Sequence, residues 1–275
     1  MYKTLINCQV LCKHLNDHGW VIVDCRYDLS DKEMGRNAYR QSHIPGAVFA
    51  DLHDDLSGPP VTDCGRHPLP APQAMQALFI RLGISQDIQV VVYDNAGGSF
   101  AARLWWMLRF MGHEAVAVLD GGWPVWQQRG LPTASGEEIN GPGNFHGQSR
   151  REWLVTVDKV TAAVLLVDSR DPVRYRGEAE PVDKVAGHIP GAINHFWKDN
   201  LDSNGLFKEP DMLRKEFLDF LGDTTAGDAV FYCGSGVTAC HNLLAAAHAG
   251  LPAPQLYAGS WSEWCSDANR PVATG

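Results

Sequence analysis

The stretch AVFYCGSGVTACHNLL, residues 229–244, places a cysteine where an apolar run gives way to small residues and then to a helical pattern. Cys233 ends the run, and Gly234, Ser235 and Gly236 follow it. Glycines permit the tight backbone of an anion-binding loop, and the N-terminus of the next helix adds a partial positive charge. We therefore predict that Cys233 exists partly as thiolate, or carries a larger anion such as a persulfide.

This stretch allows two other interpretations. Free cysteine is among the most buried residue types, so Cys233 could be a small hydrophobe that ends a strand, but its Gly-Ser-Gly context favours a reactive site. The loop of cysteine phosphatases has the form Cys-x5-Arg, in which the arginine binds phosphate. Ala239 stands at that arginine position here, which disfavours phosphate chemistry.

The chain contains an internal repeat. Four blocks recur in one order with nearly constant separation: VIVDCR and LLVDSR, SHIPGAV and GHIPGAI, VVVYDNAGGS and AVFYCGSGVT, DGGWPVW and AGSWSEW. We predict a tandem duplication with an N-terminal domain at 1–135, a linker at 136–150 and a C-terminal domain at 151–275. Asp94 occupies the position equivalent to Cys233, so the first domain is expected to be catalytically silent and the second to carry the nucleophile.

Short apolar runs alternate with helical patterns in both halves. Strands are predicted at Val21–Cys25, Gln89–Tyr93, Ala115–Leu119, Leu165–Asp168 and Ala229–Tyr232, and helices within residues 71–84, 99–113, 211–222 and 238–250. This alternation predicts an α/β fold in which each domain has a mostly parallel sheet with helices on both faces. Ligands bind outside the carboxyl ends of the strands in such sheets, and Cys233 lies at one of these ends.

Composition narrows the class of protein. The chain has 275 residues and a net charge of −9, which argues against nucleic acid and anionic membranes as partners. Neither a secretory signal nor an apolar run long enough to span a bilayer is evident. The seven cysteines are odd in number and scattered, which favours a reducing cytoplasm over a disulfide framework. No metal site or cofactor is predicted.

The chain resembles the tandem-domain rhodanese family of thiosulfate and 3-mercaptopyruvate sulfurtransferases. The resemblance rests on CGSGVTA from Cys233, on HIPGA at His43 and His188, and on GSWSEW from Gly259, and it covers nearly the whole chain. It implies two rhodanese-like domains and a persulfide intermediate on Cys233. Sulfur would pass from an anionic donor to a thiol, thioredoxin or cyanide. The expected anion-binding N–H groups belong to the loop Gly234, Ser235, Gly236, Val237 and Thr238.

The resemblance assigns donor binding to Arg174. Arg170 matches Arg26 of the first half, each two residues after an aspartate, so a structural ion pair is expected, and Arg176 is expected at the surface. Mercaptopyruvate enzymes usually have a second arginine shortly afterwards, where this chain has Val182, although Lys184 could substitute as a point charge. The uncharged CGSG loop favours 3-mercaptopyruvate and Val182 weakens that preference.

A proton relay is implied by the same resemblance. Ser235 would act with His67, from the segment GRHPLP, which the family places at the cleft between its domains. A surface loop histidine is the alternative for His67. The relay acid of the family falls at His53, so Asp51 or Asp54 would take its place, or the relay would be absent.

Three functions therefore remain open: a sulfurtransferase for 3-mercaptopyruvate or thiosulfate, a non-enzymatic persulfide carrier or sensor, and a catalytically dead interaction domain. The repeated tryptophans are expected to pack in the core or between domains, and Cys240 is expected to be inert. A monomer or weak homo-oligomer is expected.

Overall fold

The structure is a computed structural model, which describes residues 1–61 and 64–275. The chain forms two compact units. The first comprises residues 1–58, 70–150 and 203–206, and the second comprises residues 59–69, 151–202 and 207–275. Residues 136–150, predicted as a linker, lie within the first unit. Residues 59–69 are the part of the N-terminal half that lies within the second unit.

The first unit has a five-stranded, all-parallel sheet in the order β1-β5-β4-β2-β3. Its strands are β1 (Leu5–Ile6), β2 (Trp20–Asp24), β3 (Ala47–Phe49), β4 (Gln89–Tyr93) and β5 (Val116–Leu119). Its helices are α1 (Cys8–Cys12), α2 (Met34–Gln41), α3 (Pro72–Arg81), α4 (Ala101–Phe110) and α5 (Gly122–Gln128). Parallel neighbours require crossover connections, and the helices supply them.

Both faces of this sheet are buried, which explains why its strands read as continuous apolar runs. On one face, Val91 and Tyr93 of β4 pack with Leu11 of α1 and with Trp123 and Trp126 of α5. The alternate β4 residues, Val90 and Val92, are also fully buried, and α4 contacts β4 and β5.

The second unit has a four-stranded, all-parallel sheet in the order β7-β6-β8-β9. Its strands are β6 (Leu165–Asp168), β7 (Ile193–Asn194), β8 (Ala229–Tyr232) and β9 (Gln255–Leu256). Its helices are α6 (Val157–Val160), α7 (Pro172–Tyr175), α8 (Pro210–Leu221), α9 (Ala239–His248) and α10 (Ser260–Trp264), with 3-10 turns at Arg151–Trp153, Trp197–Asn200 and Ala226–Asp228. Val230 and Tyr232 pack with Trp261 and Trp264 of α10, while α9 contacts β8 and α8.

An aspartate–arginine pair recurs in both units, as the repeat predicted. Arg26 donates to Asp24 with its Nη2 at 2.7 Å, and Arg170 donates to Asp168 at 2.6 Å. Each guanidinium also covers an indole ring, at 4.5 Å from the centroid of Trp123 in the first unit. Each buried, bidentate pair joins the arginine to the aspartate at the carboxyl end of its strand, β2 in the first unit and β6 in the second.

The repeated tryptophans are buried, which confirms the expectation that they pack in the core; they are Trp105, Trp106, Trp123, Trp126, Trp261 and Trp264. Within the residues described, no helix is both long and apolar enough to cross a membrane.

Candidate active site

The loop after β8 carries Cys233 and is fixed by the start of α10. The N–H of Cys233 donates to the Ser260 hydroxyl at 3.1 Å, and the carbonyl of Cys233 accepts from the N–H of Trp261 at 2.9 Å. Gly234 accepts in the same way from Ser262 at 2.9 Å. Cys233 is only 2% exposed, so its backbone is held rigidly while little of the residue is open to solvent.

Gly236 is required by the shape of this loop. Its φ is +73°, and a Cβ at this residue would lie 2.3 Å from the Ala258 carbonyl oxygen. The loop therefore packs directly on the chain that leads into α10. Val237 is buried, and Thr238 immediately precedes α9, so the loop ends at the N-terminus of a helix, where backbone N–H groups favour an anion.

Ser260 is a site residue that the sequence analysis missed. Its φ is +57°, a left-handed conformation that costs energy for a residue other than glycine. Its hydroxyl accepts from Cys233 and donates to the Tyr257 carbonyl at 3.0 Å. The repeat held a signal for it, because the equivalent residue in the first unit is Gly122, with φ +53°. A serine retained at such a position indicates that its hydroxyl is needed.

The equivalent loop of the first unit contains its own anion. The Asp94 carboxylate accepts from the backbone N–H groups of Ala96, Gly98, Phe100 and Ala101 at 2.8 to 2.9 Å. Asp94 is fully buried, and burial raises the pKa of its carboxyl. This loop pattern thus binds an anion attached to the residue that ends the strand.

Ser235 and His67 are brought together. The Ser235 hydroxyl and His67 Nδ1 lie 2.8 Å apart, and both residues are largely buried. The segment that carries His67 is anchored on the second unit, since the N–H of Arg66 donates to the Ser262 hydroxyl at 3.1 Å. His67 is therefore not the surface loop histidine that was the alternative.

Arg174 lies beside the cysteine loop and has a second guanidinium as its neighbour. A Cβ on Gly234 would be 3.0 Å from Nη2 of Arg66 and 3.5 Å from Nη2 of Arg174. Glu180 accepts from Nη2 of Arg174 at 2.7 Å. Asp183 accepts from both arginines. Arg66 was not among the predicted site residues, although it precedes His67 in the segment GRHPLP.

The other predicted cations are paired with carboxylates or exposed to solvent. Arg170 is occupied by Asp168 and by Glu180, whose Oε2 accepts from its Nη1 at 3.2 Å. Arg176 is exposed and pairs with Glu178, as predicted for a surface charge. Val182 and Lys184 are also exposed.

The three acids and bases considered for the relay lie in the first unit. Asp51 is largely buried and accepts from the backbone N–H groups of His53 at 2.7 Å and Asp54 at 3.0 Å. His53 is exposed, with its Nδ1 at 2.9 Å from the Asp54 carboxylate. The Asp51 carboxylate therefore caps the turn that contains His53 and Asp54.

Burial disfavours the thiolate form of three other cysteines. Burial raises the pKa of Cys8 to about 11 and raises the pKa values of Cys25 and Cys265. Cys240 is fully buried and its Sγ donates to the Gly236 carbonyl at 3.4 Å, in line with the inert role expected for it. In the described ranges, no cluster of His, Cys, Asp and Glu could hold a metal ion.

The geometry combines a cysteine in an anion-binding loop with a serine–histidine pair and two guanidinium groups. Such a site can bind an anionic substrate and support nucleophilic attack by sulfur.

Comparison with known proteins identifies the family of the chain. The rhodanese-like domain matches residues 8–129 and 155–267. A probable 3-mercaptopyruvate sulfurtransferase of Pseudomonas aeruginosa is 46% identical to this chain, with 98% of each chain covered. A putative thiosulfate sulfurtransferase of Mycobacterium tuberculosis, SseB, is 42% identical, with 92% of this chain and 90% of that chain covered. The solved 3-mercaptopyruvate sulfurtransferase from Leishmania major superposes with a TM-score of 0.88 at 30% identity, over 98% of this chain and 76% of that one.

Two matched domains and relatives that span the whole chain establish the family. The protein belongs to the rhodanese family and is a sulfurtransferase with two rhodanese-like domains in tandem.

Proposed function

We propose that this enzyme transfers a sulfur atom from 3-mercaptopyruvate to a thiol through a persulfide on Cys233. The observation that carries the proposal is the loop after β8. A buried cysteine stands there at the position where the repeated loop of the first unit binds the Asp94 carboxylate through four backbone N–H groups. A loop of this pattern suits a thiolate and the anionic persulfide that follows it.

The reaction has two half-reactions. The Cys233 thiolate attacks the donor sulfur, and the carbon–sulfur bond of the donor breaks, so that the bonding electrons leave with the enolate of pyruvate. An acceptor thiolate then attacks the outer sulfur of the persulfide, the sulfur–sulfur bond breaks, and the Cys233 thiolate is restored. A small thiol, thioredoxin or cyanide can act as this acceptor.

The loop stabilises negative charge on sulfur, and the serine–histidine pair transfers the proton. The backbone N–H groups from Gly234 through Gly236 and Val237 to Thr238 stabilise the charge on sulfur, in the manner of an oxyanion hole. Ser235 and His67, 2.8 Å apart, take the proton of the donor thiol and return it to the enolate carbon of pyruvate. Arg174 binds the carboxylate of the donor through charge-assisted hydrogen bonds.

Thiosulfate is the second candidate donor. It is also an anion, and the guanidinium groups beside Gly234 suit it as well. Its leaving group is sulfite, which needs no protonation at carbon, so it would not depend on the serine–histidine pair. The relative from Mycobacterium tuberculosis, named as a putative thiosulfate sulfurtransferase, supports thiosulfate as the alternative donor.

The deciding experiment is a steady-state assay of the purified chain with both donors and cyanide as common acceptor. We expect kcat/KM to be more than about tenfold higher for 3-mercaptopyruvate, a difference of about 1.4 kcal/mol in transition-state binding. A ratio below one would instead make thiosulfate the donor. A trapped persulfide without turnover of either donor would make the chain a persulfide carrier, and neither persulfide nor turnover would leave an interaction domain.

A further inference from the structure

We propose that Ser262 is a positioning residue for proton transfer, because its hydroxyl fixes the segment that carries His67 beside the loop that carries Ser235. The proposal rests on the proposed function, since it takes Ser235 and His67 to move the proton of the donor. Ser262 is the third residue of α10, and the sequence analysis assigned it no role. We assign it no contact with the donor, so it acts through His67.

Two groups of Ser262 bind the chain on either side of the serine–histidine pair. Its N–H donates to the Gly234 carbonyl at 2.9 Å, and its Oγ accepts from the N–H of Arg66 at 3.1 Å. Gly234 directly precedes Ser235, and Arg66 directly precedes His67. One residue therefore holds the chain neighbours of two side chains whose Oγ and Nδ1 lie 2.8 Å apart.

The direction of the hydroxyl is fixed by a second partner. Oγ of Ser262 donates to the Gly259 carbonyl at 3.3 Å, so its lone pairs remain for the N–H of Arg66. Gly65 packs on the same place. Its φ is +81°, and a Cβ built on it would lie 2.9 Å from Oγ of Ser262 and 2.7 Å from the Gly259 oxygen. The chain before His67 is thus packed directly against this hydroxyl.

The side chain of Arg66 provides a different kind of anchor. Its guanidinium donates to Asp183, but it lies at the end of a long side chain that is 31% exposed. Such a side chain can change its rotamers while the ion pair is kept, and the backbone then remains free to shift. The contact with Ser262 acts on the backbone itself, so it is the contact that sets the position of the next residue, His67.

The internal repeat shows that these contacts accompany the nucleophile. In both units the tryptophan of the corresponding helix donates its N–H to the carbonyl of the residue after the strand, Asp94 at 2.8 Å or Cys233 at 2.9 Å. The residue that follows this tryptophan is Pro124 in the first unit and Ser262 in the second. Proline has neither an N–H nor a hydroxyl, so the silent unit cannot make the two contacts of Ser262.

Loss of the hydroxyl should therefore affect proton transfer more than binding. Without it, the N–H of Arg66 loses its acceptor and the segment can move away from the loop. Proton transfer requires His67 and Ser235 within hydrogen-bond distance, so the rate falls with the fraction of molecules in that geometry. The backbone contact between Ser262 and Gly234 does not involve the hydroxyl, so the cysteine loop should keep its position.

The first test compares Ser262→Ala with Ser262→Thr. We expect Ser262→Ala to lower kcat with 3-mercaptopyruvate by about tenfold and to leave the KM within about twofold of wild type. Threonine keeps the hydroxyl and should restore most of the rate. Turnover of thiosulfate should stay within about twofold, since sulfite needs no protonation at carbon. An unchanged kcat in Ser262→Ala, or an equal loss with thiosulfate, would overturn the proposal.

Ser266→Ala is the matched control. Its hydroxyl donates to the Glu263 carbonyl just after α10, and we expect its kcat to lie within about twofold of wild type. Amide hydrogen exchange gives a readout that needs no turnover. The N–H of Arg66 should exchange at least about tenfold faster in Ser262→Ala than in wild type or Ser266→Ala. Equal exchange in the three proteins would overturn the proposal.

A double-mutant cycle shows whether Ser262 acts through His67. In the His67→Gln background, Ser262→Ala should cause no further loss beyond about twofold, because the residue that it positions is already absent. A further tenfold loss would overturn the proposal. The cycle also separates the two hypotheses. His67→Gln with wild-type kcat would contradict the proposed proton transfer, whereas a slow His67→Gln beside a fully active Ser262→Ala would contradict only the role of Ser262.

Discussion

Nδ1 of His67 and Oγ of Ser235 lie 2.8 Å apart although 168 residues separate them in the chain. The pair joins the segment before Pro68 to the loop that carries the nucleophile. Both residues are buried to more than nine-tenths, so their hydrogen bond is shielded from water. A serine and histidine in such contact can move a proton to and from a bound donor.

Removal of the Ser235 hydroxyl should therefore slow the reaction selectively. We expect Ser235→Ala and His67→Gln each to lower kcat with 3-mercaptopyruvate by about a hundredfold or more, because release of pyruvate needs a proton. The thiosulfate reaction should change much less, since sulfite leaves as an anion. Steady-state assays with both donors check this, and Ser266→Ala serves as a matched control, since its hydroxyl donates to the Glu263 carbonyl. Equal loss with both donors would argue against a proton relay.

Replacement of the nucleophile should abolish transfer without unfolding the chain. The Cys233 backbone contacts with Ser260 and Trp261 do not involve its side chain, so Cys233→Ser should retain its thermal unfolding temperature. Mass spectrometry after exposure to donor should find one added sulfur atom on wild type and none on the variant. Cys265→Ser is the control and should keep full activity. Turnover by Cys233→Ser would eliminate the persulfide mechanism.

The carboxylate in the first-unit loop should stabilise that unit. Asp94→Ala leaves four backbone N–H groups without their acceptor, two of them on the buried residues Gly98 and Ala101, and we expect it to lower the free energy of unfolding by at least about 3 kcal/mol. Asp94→Asn keeps an oxygen for Ala96 and Gly98 and should lose less. Urea unfolding followed by circular dichroism measures both. If the alanine and asparagine variants were as stable as wild type, water would be accepting the hydrogen bonds of these N–H groups in place of the carboxylate.

Stability should fall on the acid side because of buried histidines. His195 packs on Phe220 with ring centroids 4.4 Å apart, and burial lowers its pKa from the ordinary value of 6.5. Asp199 and Glu216 oppose this shift, while Lys208 and the burial favour it. The unfolded chain then binds a proton that the folded chain does not, so stability is lost as the pH falls below 6.5 towards the lowered pKa.

His195→Gln tests this pH dependence. We expect its free energy of unfolding to change less steeply below about pH 6.5, by up to about 1.4 kcal/mol per pH unit, since one proton no longer takes part. Urea titrations at several pH values measure the slope, which does not depend on the packing lost with the imidazole. The pKa values of His113 and His248 are lowered by burial as well, so part of the slope should persist in the variant. A slope equal to that of wild type would contradict the assignment to His195.

The periodic parts of the fold could be predicted from the sequence. The strands Gln89–Tyr93, Leu165–Asp168 and Ala229–Tyr232 have the predicted bounds. The strand predicted at Val21–Cys25 is shifted by one residue at both ends, and the strand predicted at Ala115–Leu119 begins one residue later. These strands are buried on both faces, so their apolar runs are unbroken and their ends are marked by polar or small residues. The position of Cys233 at a carboxyl end followed from this pattern.

The repeat also determined the paired aspartates and arginines, because the same residues recur at the same strand end. The repeat also contained the signal for Ser260, because this serine occupies the position that is Gly122 in the first unit. That signal becomes readable only once the backbone is known to be left-handed at both positions.

Tertiary structure alone decided that Arg66 and Asp183 meet beside the cysteine loop. Arg66 and Asp183 are separated by 117 residues, and neither spacing nor periodicity relates them. The segment of Arg66 and His67 belongs to the second unit although the first half of the chain contains it. Sequence patterns indicate the type of each helix or strand from its local periodicity. Contacts between loops that are distant in sequence depend on the tertiary packing of the whole chain. The sequence thus determined the nucleophile and its strand, and its family resemblance named Arg174 and His67. The fold alone placed Arg66 beside them, because that contact joins distant segments of the chain.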